Sequence, residues 1–165
     1  MGKVVLARVD ERLIHGQVMT QLSKKSGANA IFVVDDQTMN DDFLKQIFLS
    51  SGTRTGLKIK IFSEDSLITY WKETNFEKFN VILLARTIET FYKLIQAGVV
   101  IPSLNLGAVS KKSGTVSVIK TVSITHDQFG LLKELAEKHQ VESYFQAIPS
   151  TKRVSMKDAE KAMKG

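Results

Sequence analysis

One ten-residue run near the start of the chain gathers the groups that phosphate chemistry needs: Arg8-Val9-Asp10-Glu11-Arg12-Leu13-Ile14-His15-Gly16-Gln17. An imidazole titrates near neutrality, so its neutral, nucleophilic form is present at pH 7. A phosphorylated imidazole is energy-rich and suits transfer rather than storage. Arg12 and Arg8 can each present a planar fork of donors to phosphate oxygens. His15 stands where an apolar helical repeat begins, and a helix start offers free N–H groups and a favourable dipole to an anion. Gly16 lets the backbone come close to whatever His15 carries, and the backbone N–H groups up to Gln17 complete the phosphate-binding set. Asp10 has two possible tasks, orienting the imidazole or holding an arginine. The same residues would also suit a capping histidine inside a structural ion-pair network.

The elements that must position this run alternate. Residues 3–8, 30–34, 57–62 and 81–85 read as strands, the last apolar on both faces as a central parallel strand is. Between them lie helical patterns: Ile14, Val18 and Leu22; Phe43, Leu44, Ile47 and Phe48 behind a cap at Asn40 or Asp41; Leu67, Ile68 and Trp71 behind Ser63; Ile88, Phe91, Tyr92 and Ile95, stopped at Gly98. Residues 103–106 form a further short strand. Residues 115–119 and 121–124 are rich in Val and Thr and follow a Ser113-Gly114 turn signal. Thr125 with Gln128 makes a capping box for the next helix. Residues 142–147 read as a late strand, and Ser155 opens a last helix. The expected fold is α/β: a mainly parallel open sheet with helices on both faces and an antiparallel addition near the C-terminal third, with residues 1–165 as one domain. In such sheets ligands bind beyond the carboxyl ends of the strands, at a switch point. That places the loop after the first strand at the site. Asp36 and Asn105, at the ends of neighbouring strands, join Asp10 as candidate supporting residues, and Ser110 reads as plain loop.

Composition narrows the chemistry. The chain has 165 residues and no cysteine, which excludes disulfides, thiol catalysis and cysteine-ligated zinc. His126 and His139 lie outside the usual zinc spacing, so no metal and no cofactor are expected. No apolar run is long enough to span a bilayer. Val4 to Ala7 is followed at once by Arg8, Asp10, Glu11 and Arg12, leaving no room for a secretory signal, so a cytoplasmic location is expected. The net charge of +6 comes from scattered pairs such as Lys24-Lys25, Lys111-Lys112 and Lys152-Arg153 rather than a stripe. A basic nucleic-acid-binding module is therefore a weaker alternative, since most Phe and Tyr residues fall on expected core faces and are not free to stack on bases. A phosphosugar- or nucleotide-binding enzyme on the same fold is a second alternative.

The run from Arg8 to Val18 resembles the active-site signature of the IIB components of the mannose/fructose/sorbose family of the bacterial phosphotransferase system. The resemblance continues over essentially the whole chain, at Val33-Val34-Asp35-Asp36, Asn40-Asp41, Leu104-Asn105-Leu106-Gly107, Lys120-Thr121-Val122-Ser123 and Gln146-Ala147-Ile148-Pro149. Two departures stand out. Gly107-Ala108 replaces a pair that is often Gly-Gly, and Arg86-Thr87 stands where Lys is common. The resemblance implies that His15 accepts a phosphoryl group, on Nδ1, from a phosphorylated IIA component. His15 then passes the group to a sugar, a hexose or an amino sugar, held by the membrane IIC/IID components. It implies a cytoplasmic protein that visits the membrane complex. A homo-oligomer is compatible with it, and a nucleic-acid partner is not expected.

Overall fold

The computed structural model describes the backbone throughout and every side chain except those of Gln17, Val18 and Met19. The main sheet holds seven strands: β1 (Lys3–Asp10), β2 (Ala30–Val34), β3 (Lys58–Phe62), β4 (Asn80–Ala85), β5 (Ser103–Ala108), β8 (Glu142–Phe145) and β9 (Val154–Ser155), in the order β3-β2-β4-β1-β5-β8-β9. All pair in parallel except β9, which runs antiparallel to β8. A separate antiparallel pair, β6 (Val116–Ile119) and β7 (Val122–Ile124), is the expected addition.

Strand alternation divides the core. Ala30, Phe32 and Val34 of β2 and Val81, Leu83 and Ala85 of β4 enter the larger cluster. Their neighbours Ile31, Val33, Ile82 and Leu84 enter the other cluster, on the opposite face. Both sets are buried, which is why residues 30–34 and 81–85 carry no polar side chain. On the larger cluster pack α4 (Glu64–Thr74), α5 (Ile88–Gln96), α6 (His126–His139) and α7 (Met156–Lys164). The other face receives α1 (Gly16–Ser26) and α3 (Asp42–Thr55). Helices thus cover both faces, as expected.

The expected caps recur at Asp41, Ser63, Thr125 and Ser155, each accepting from backbone N–H groups of its helix. Two short elements are absent from the sequence reading: β9 and α2 (Asp36–Met39). Neither carries a periodic apolar signal over so few residues.

The buried face of α3 is a correction. Phe48 and Gly52 face inward, while Phe43 is 75% and Ile47 43% exposed. The helix lies over the edge strand β3, where Gly52 lets its backbone approach the Ile59 side chain, and this rotates Phe43 and Ile47 away from the sheet. α1 also starts later than its apolar repeat: Ile14 is buried in the loop ahead of it, Leu22 is buried on the helix, and Val18 lies outside the described side chains.

The strand order fixes the switch point. From β1 the chain proceeds to β2 on one side of the sheet, and from β5 it proceeds to β8 on the other. β1 and β5 are neighbours, so their connections diverge and leave a crevice at their carboxyl ends. Residues 11–15 form one wall of that crevice.

Candidate functional site

Arg8 and Asp10 alternate with the core residues Ala7 and Val9, so both point to the face that carries α1. Both are buried, at 1% and 0% exposure, and their side chains meet at 3.1 Å. All five N–H groups of the Arg8 guanidinium are used. Nε and Nη2 donate to Asp10 Oδ2, Nη1 to Asn105 Oδ1 at 2.7 Å and to Gln146 O at 3.2 Å, and Nη2 also to Ala147 O at 2.6 Å. This corrects the expectation that Arg8 grips phosphate: the side chain is enclosed and has no donor left. Its place is that of a buried bracket joining β1, β5 and the segment after β8. Asn105 belongs to the same bracket, since its Nδ2 donates to Gln146 O at 3.2 Å.

Asp10 is the hub. Oδ1 accepts from the Arg12 backbone N–H at 3.0 Å and from Arg12 Nε at 3.2 Å, while Oδ2 is 3.2 Å from Arg12 Nη2 and 3.1 Å from His15 Nε2. Burial alone would push this carboxyl up. The bonds from His15 and Arg12, with the Arg8 charge, outweigh burial and hold it well below the usual carboxylate range. An ionised carboxylate only accepts, so Nε2 of His15 carries the proton and the neutral ring keeps its lone pair on Nδ1. Arg12 is 55% exposed and retains Nη1 for another partner.

Between Asp10 and His15 the chain folds back on itself. Leu13 adopts a left-handed φ of 55° and its N–H donates to Asp10 O at 2.9 Å. That conformation costs a non-glycine residue about 1–2 kcal/mol, and burial of the Leu13 side chain in the α1/α3 core offsets it. His15 is then the N-cap of α1, extended at φ −152°. It makes no side-chain capping bond, and the first turn carries no acidic residue. The helix start therefore keeps its N–H groups for an outside acceptor. A Cβ on Gly16 would meet nothing within 4 Å, so the space beside His15 is open. The Gln17 side chain lies outside the described residues.

Two further contacts hold the loop, and the sequence reading missed both as site elements. Arg86, at the end of β4, donates from Nη1 to Glu11 O at 2.7 Å and from Nε to Asp35 Oδ2 at 3.1 Å. Glu11 accepts from the Ser110 backbone N–H at 2.6 Å and from Lys112 at 2.7 Å, which ties the loop to the segment after β5. Burial opposes ionisation of Glu11, but Lys112 and Ser110 outweigh it and lower its pKa. Ser110 thus contributes through its backbone alone. Asp36 does not join the cluster: its carboxylate accepts from the Glu64 N–H at 2.8 Å and anchors α4. The signal that could have found Arg86 was its position directly after a strand that ends beside β1.

His15, Gly16 and Thr20 line a cleft of about 430 Å³ whose other wall is Ser51, Arg54 and Thr55 of α3. No helix among the described residues is long and apolar enough to cross a membrane.

Fold and site together define a doubly wound α/β protein that presents a histidine, braced by a buried ionised aspartate, at its switch point. The chain belongs to the family described as the sorbose-subfamily IIB component of the phosphotransferase system, whose family model matches residues 4–164. It is 32% identical over 132 residues to the sorbose-specific EIIB component of Lacticaseibacillus casei, covering 80% of each chain. It is 27% identical over 156 residues to the N-acetylgalactosamine-specific IIB component 2 of Escherichia coli K12, covering 94% of this chain and 98% of the relative. Among solved structures, manxB from Thermoanaerobacter tengcongensis superposes with a TM-score of 0.91 at 33% identity, covering 98% of this chain and 96% of that one. The IIB domain of the Klebsiella pneumoniae sorbose permease gives 0.88 at 25% identity, covering 96% and 97%. Membership carries a role in sugar phosphotransfer.

Proposed function

We propose that His15 accepts a phosphoryl group from the phosphohistidine of a IIA component and delivers it to a sugar held by the membrane IIC/IID components. The observation that carries this is the Asp10–His15 contact of 3.1 Å, which puts the proton on Nε2 and the lone pair on Nδ1. In the first step the P–N bond to the donor histidine breaks, its electron pair returns to that nitrogen, and the P–Nδ1 bond forms. Nε2–H stays on Asp10, whose carboxylate offsets the positive charge that the ring gains. In the second step a sugar hydroxyl oxygen bonds to phosphorus, the P–Nδ1 bond breaks with its electron pair returning to Nδ1, and the hydroxyl proton leaves to solvent.

Phosphoryl transfer asks the protein mostly for position and charge stabilisation. Arg12 Nη1 and the uncapped N–H groups at the start of α1 are the donors for the phosphoryl oxygens. Arg8, Asn105 and Asp10 hold the loop and ring in place. The relatives' names cite sorbose, fructose, N-acetylgalactosamine and mannose, so we assign a hexose or amino sugar as the class of final acceptor. The working place of this carrier is the cytoplasmic face of the transporter.

The test is direct. The protein is incubated with phosphoenolpyruvate, the general phosphotransferase proteins and a matching IIA component, and phosphate is located by mass spectrometry. Acid-labile, base-stable phosphate on His15, absent from His15→Ala, is the expected result. An unmodified wild type in the presence of active donors would sink the assignment.

A further inference from the structure

α3 is apolar on two sides. Its inward side supplies Phe48 to the core, yet three of the five large hydrophobic residues exposed in the described structure, Phe43, Ile47 and Leu49, also lie on it. Phe43 and Ile47 stand one turn apart and form the floor of a shallow concavity of about 350 Å³ that ends at Ser51 and Arg54. Ser51 and Arg54 are also walls of the larger cleft that opens beside His15. The two hollows are therefore one continuous surface, running from the exposed apolar pair to the histidine.

The charge on this surface is available. Around His15, Arg8 is spent on Asp10, Arg86 on Asp35 and Lys112 on Glu11. Arg54 and Lys24, which face each other across the cleft, have no carboxylate within 4.0 Å among the described residues. The hydroxyls between them donate back into their own helices, Thr20 to Gly16 O and Ser51 to Ile47 O, and so leave only lone pairs outward. Among the described residues no carboxylate lines this cleft, so Arg54 and Lys24, not the hydroxyls, are the groups that attract an acidic visitor.

We infer that the α1/α3 surface, with Phe43 and Ile47 as anchor and Arg54 and Lys24 as charged rim, is the docking site of the IIA phosphoryl donor, which meets it with an acidic patch. This rests on the role proposed for His15. A donor must bring its phosphohistidine to within bonding distance of His15, so its footprint has to cover the ground bordering that residue, and this surface is that ground. A small apolar anchor with a charged rim suits a partner that binds quickly and leaves quickly. The membrane components and a second copy of the chain are the competing occupants.

The experiment uses the full chain as Phe43→Ser/Ile47→Ser and as Arg54→Glu. Lys157→Glu, exposed on α7, makes the same change in net charge as Arg54→Glu and is the control. Binding of the unphosphorylated IIA component to each variant in a His15→Ala background reads docking without chemistry. Both variants are expected to weaken it by about tenfold or more, the scale of losing one interface anchor, with the control unchanged. In the phosphorylatable chain the KM for phospho-IIA rises by the same factor while kcat holds. Transfer from preloaded His15 to sugar on membrane vesicles stays at the wild-type rate. Unchanged IIA binding overturns the inference, as does a defect confined to the vesicle step, or a wild-type dimer that dissociates in Phe43→Ser/Ile47→Ser. Normal docking losses with a wild type that is never phosphorylated would instead leave this surface standing and remove the proposed role of His15.

Discussion

Gly107 lies against the flat of the Arg8 guanidinium: a Cβ built on it would fall on the carbon and both terminal nitrogens of that group. Arg8 cannot step aside, because its five N–H groups are bound to Asp10, Asn105 and two carbonyls and the whole side chain is enclosed. Gly107→Ala should therefore cost about 1–3 kcal/mol, as overpacking does. The urea midpoint checks it. The origin of the loss can be separated by a double-mutant cycle: once Arg8→Ala has removed the obstructed group, adding Gly107→Ala should cost almost nothing further. Additive losses would show that the glycine serves something other than room for Arg8.

Asp10 should make the protein acid-sensitive. Its pKa in the fold is depressed, despite burial, by bonds from His15 and Arg12 and by the Arg8 charge. A depressed carboxyl stabilises the fold above the unfolded value, near 4, and that contribution is lost as pH falls below it toward the folded value. Asp10→Asn removes the ion that compensates buried Arg8 and should cost about 3–5 kcal/mol at pH 7. Below about pH 4 the gap between wild type and variant should narrow. Circular dichroism melts at pH 7, 5 and 3 would show it, and a gap that stays constant over this range would contradict the linkage.

The tautomer argument predicts which nitrogen is modified. With Nε2–H committed to Asp10, phosphorus should bond Nδ1. Labelling the histidine with nitrogen-15 and recording the phosphorus–nitrogen coupling of the loaded protein identifies the atom. Phosphate on Nε2 would require the Asp10 contact to break, and the Asp10–His15 account of the site would fall with it.

Much of this was legible in the sequence because the signals are local. The four apolar strands, the caps at Asp41, Ser63 and Thr125 and the cluster from Arg8 to His15 each need only a short window. What was illegible depends on partners distant in the chain. Arg8 and Arg12 look alike in the motif, yet one is buried by Asn105 and Gln146, which lie 97 and 138 residues away, and the other is half in solvent. Arg86 reaches Glu11 only because β4 lies beside β1. For α3, periodicity gave an apolar stripe but not its orientation, since a helix over an edge strand has only part of a sheet to cover.

That orientation has a consequence at Gly52. Glycine inside an exposed helix normally costs about 1 kcal/mol relative to alanine, so Gly52→Ala would ordinarily stabilise. Here Gly52 is buried, and a Cβ would land within the side chain of Ile59, itself buried and β-branched with little freedom to turn. The clash should outweigh the propensity gain and leave a net loss of about 1–2 kcal/mol. In an Ile59→Ala background, which removes the obstructing Cγ1 and Cδ1, adding Gly52→Ala should cost almost nothing further. Chemical unfolding of the four proteins decides it. A more stable Gly52→Ala would mean that α3 does not sit on β3 through this glycine, and the outward placing of Phe43 and Ile47 would lose its cause.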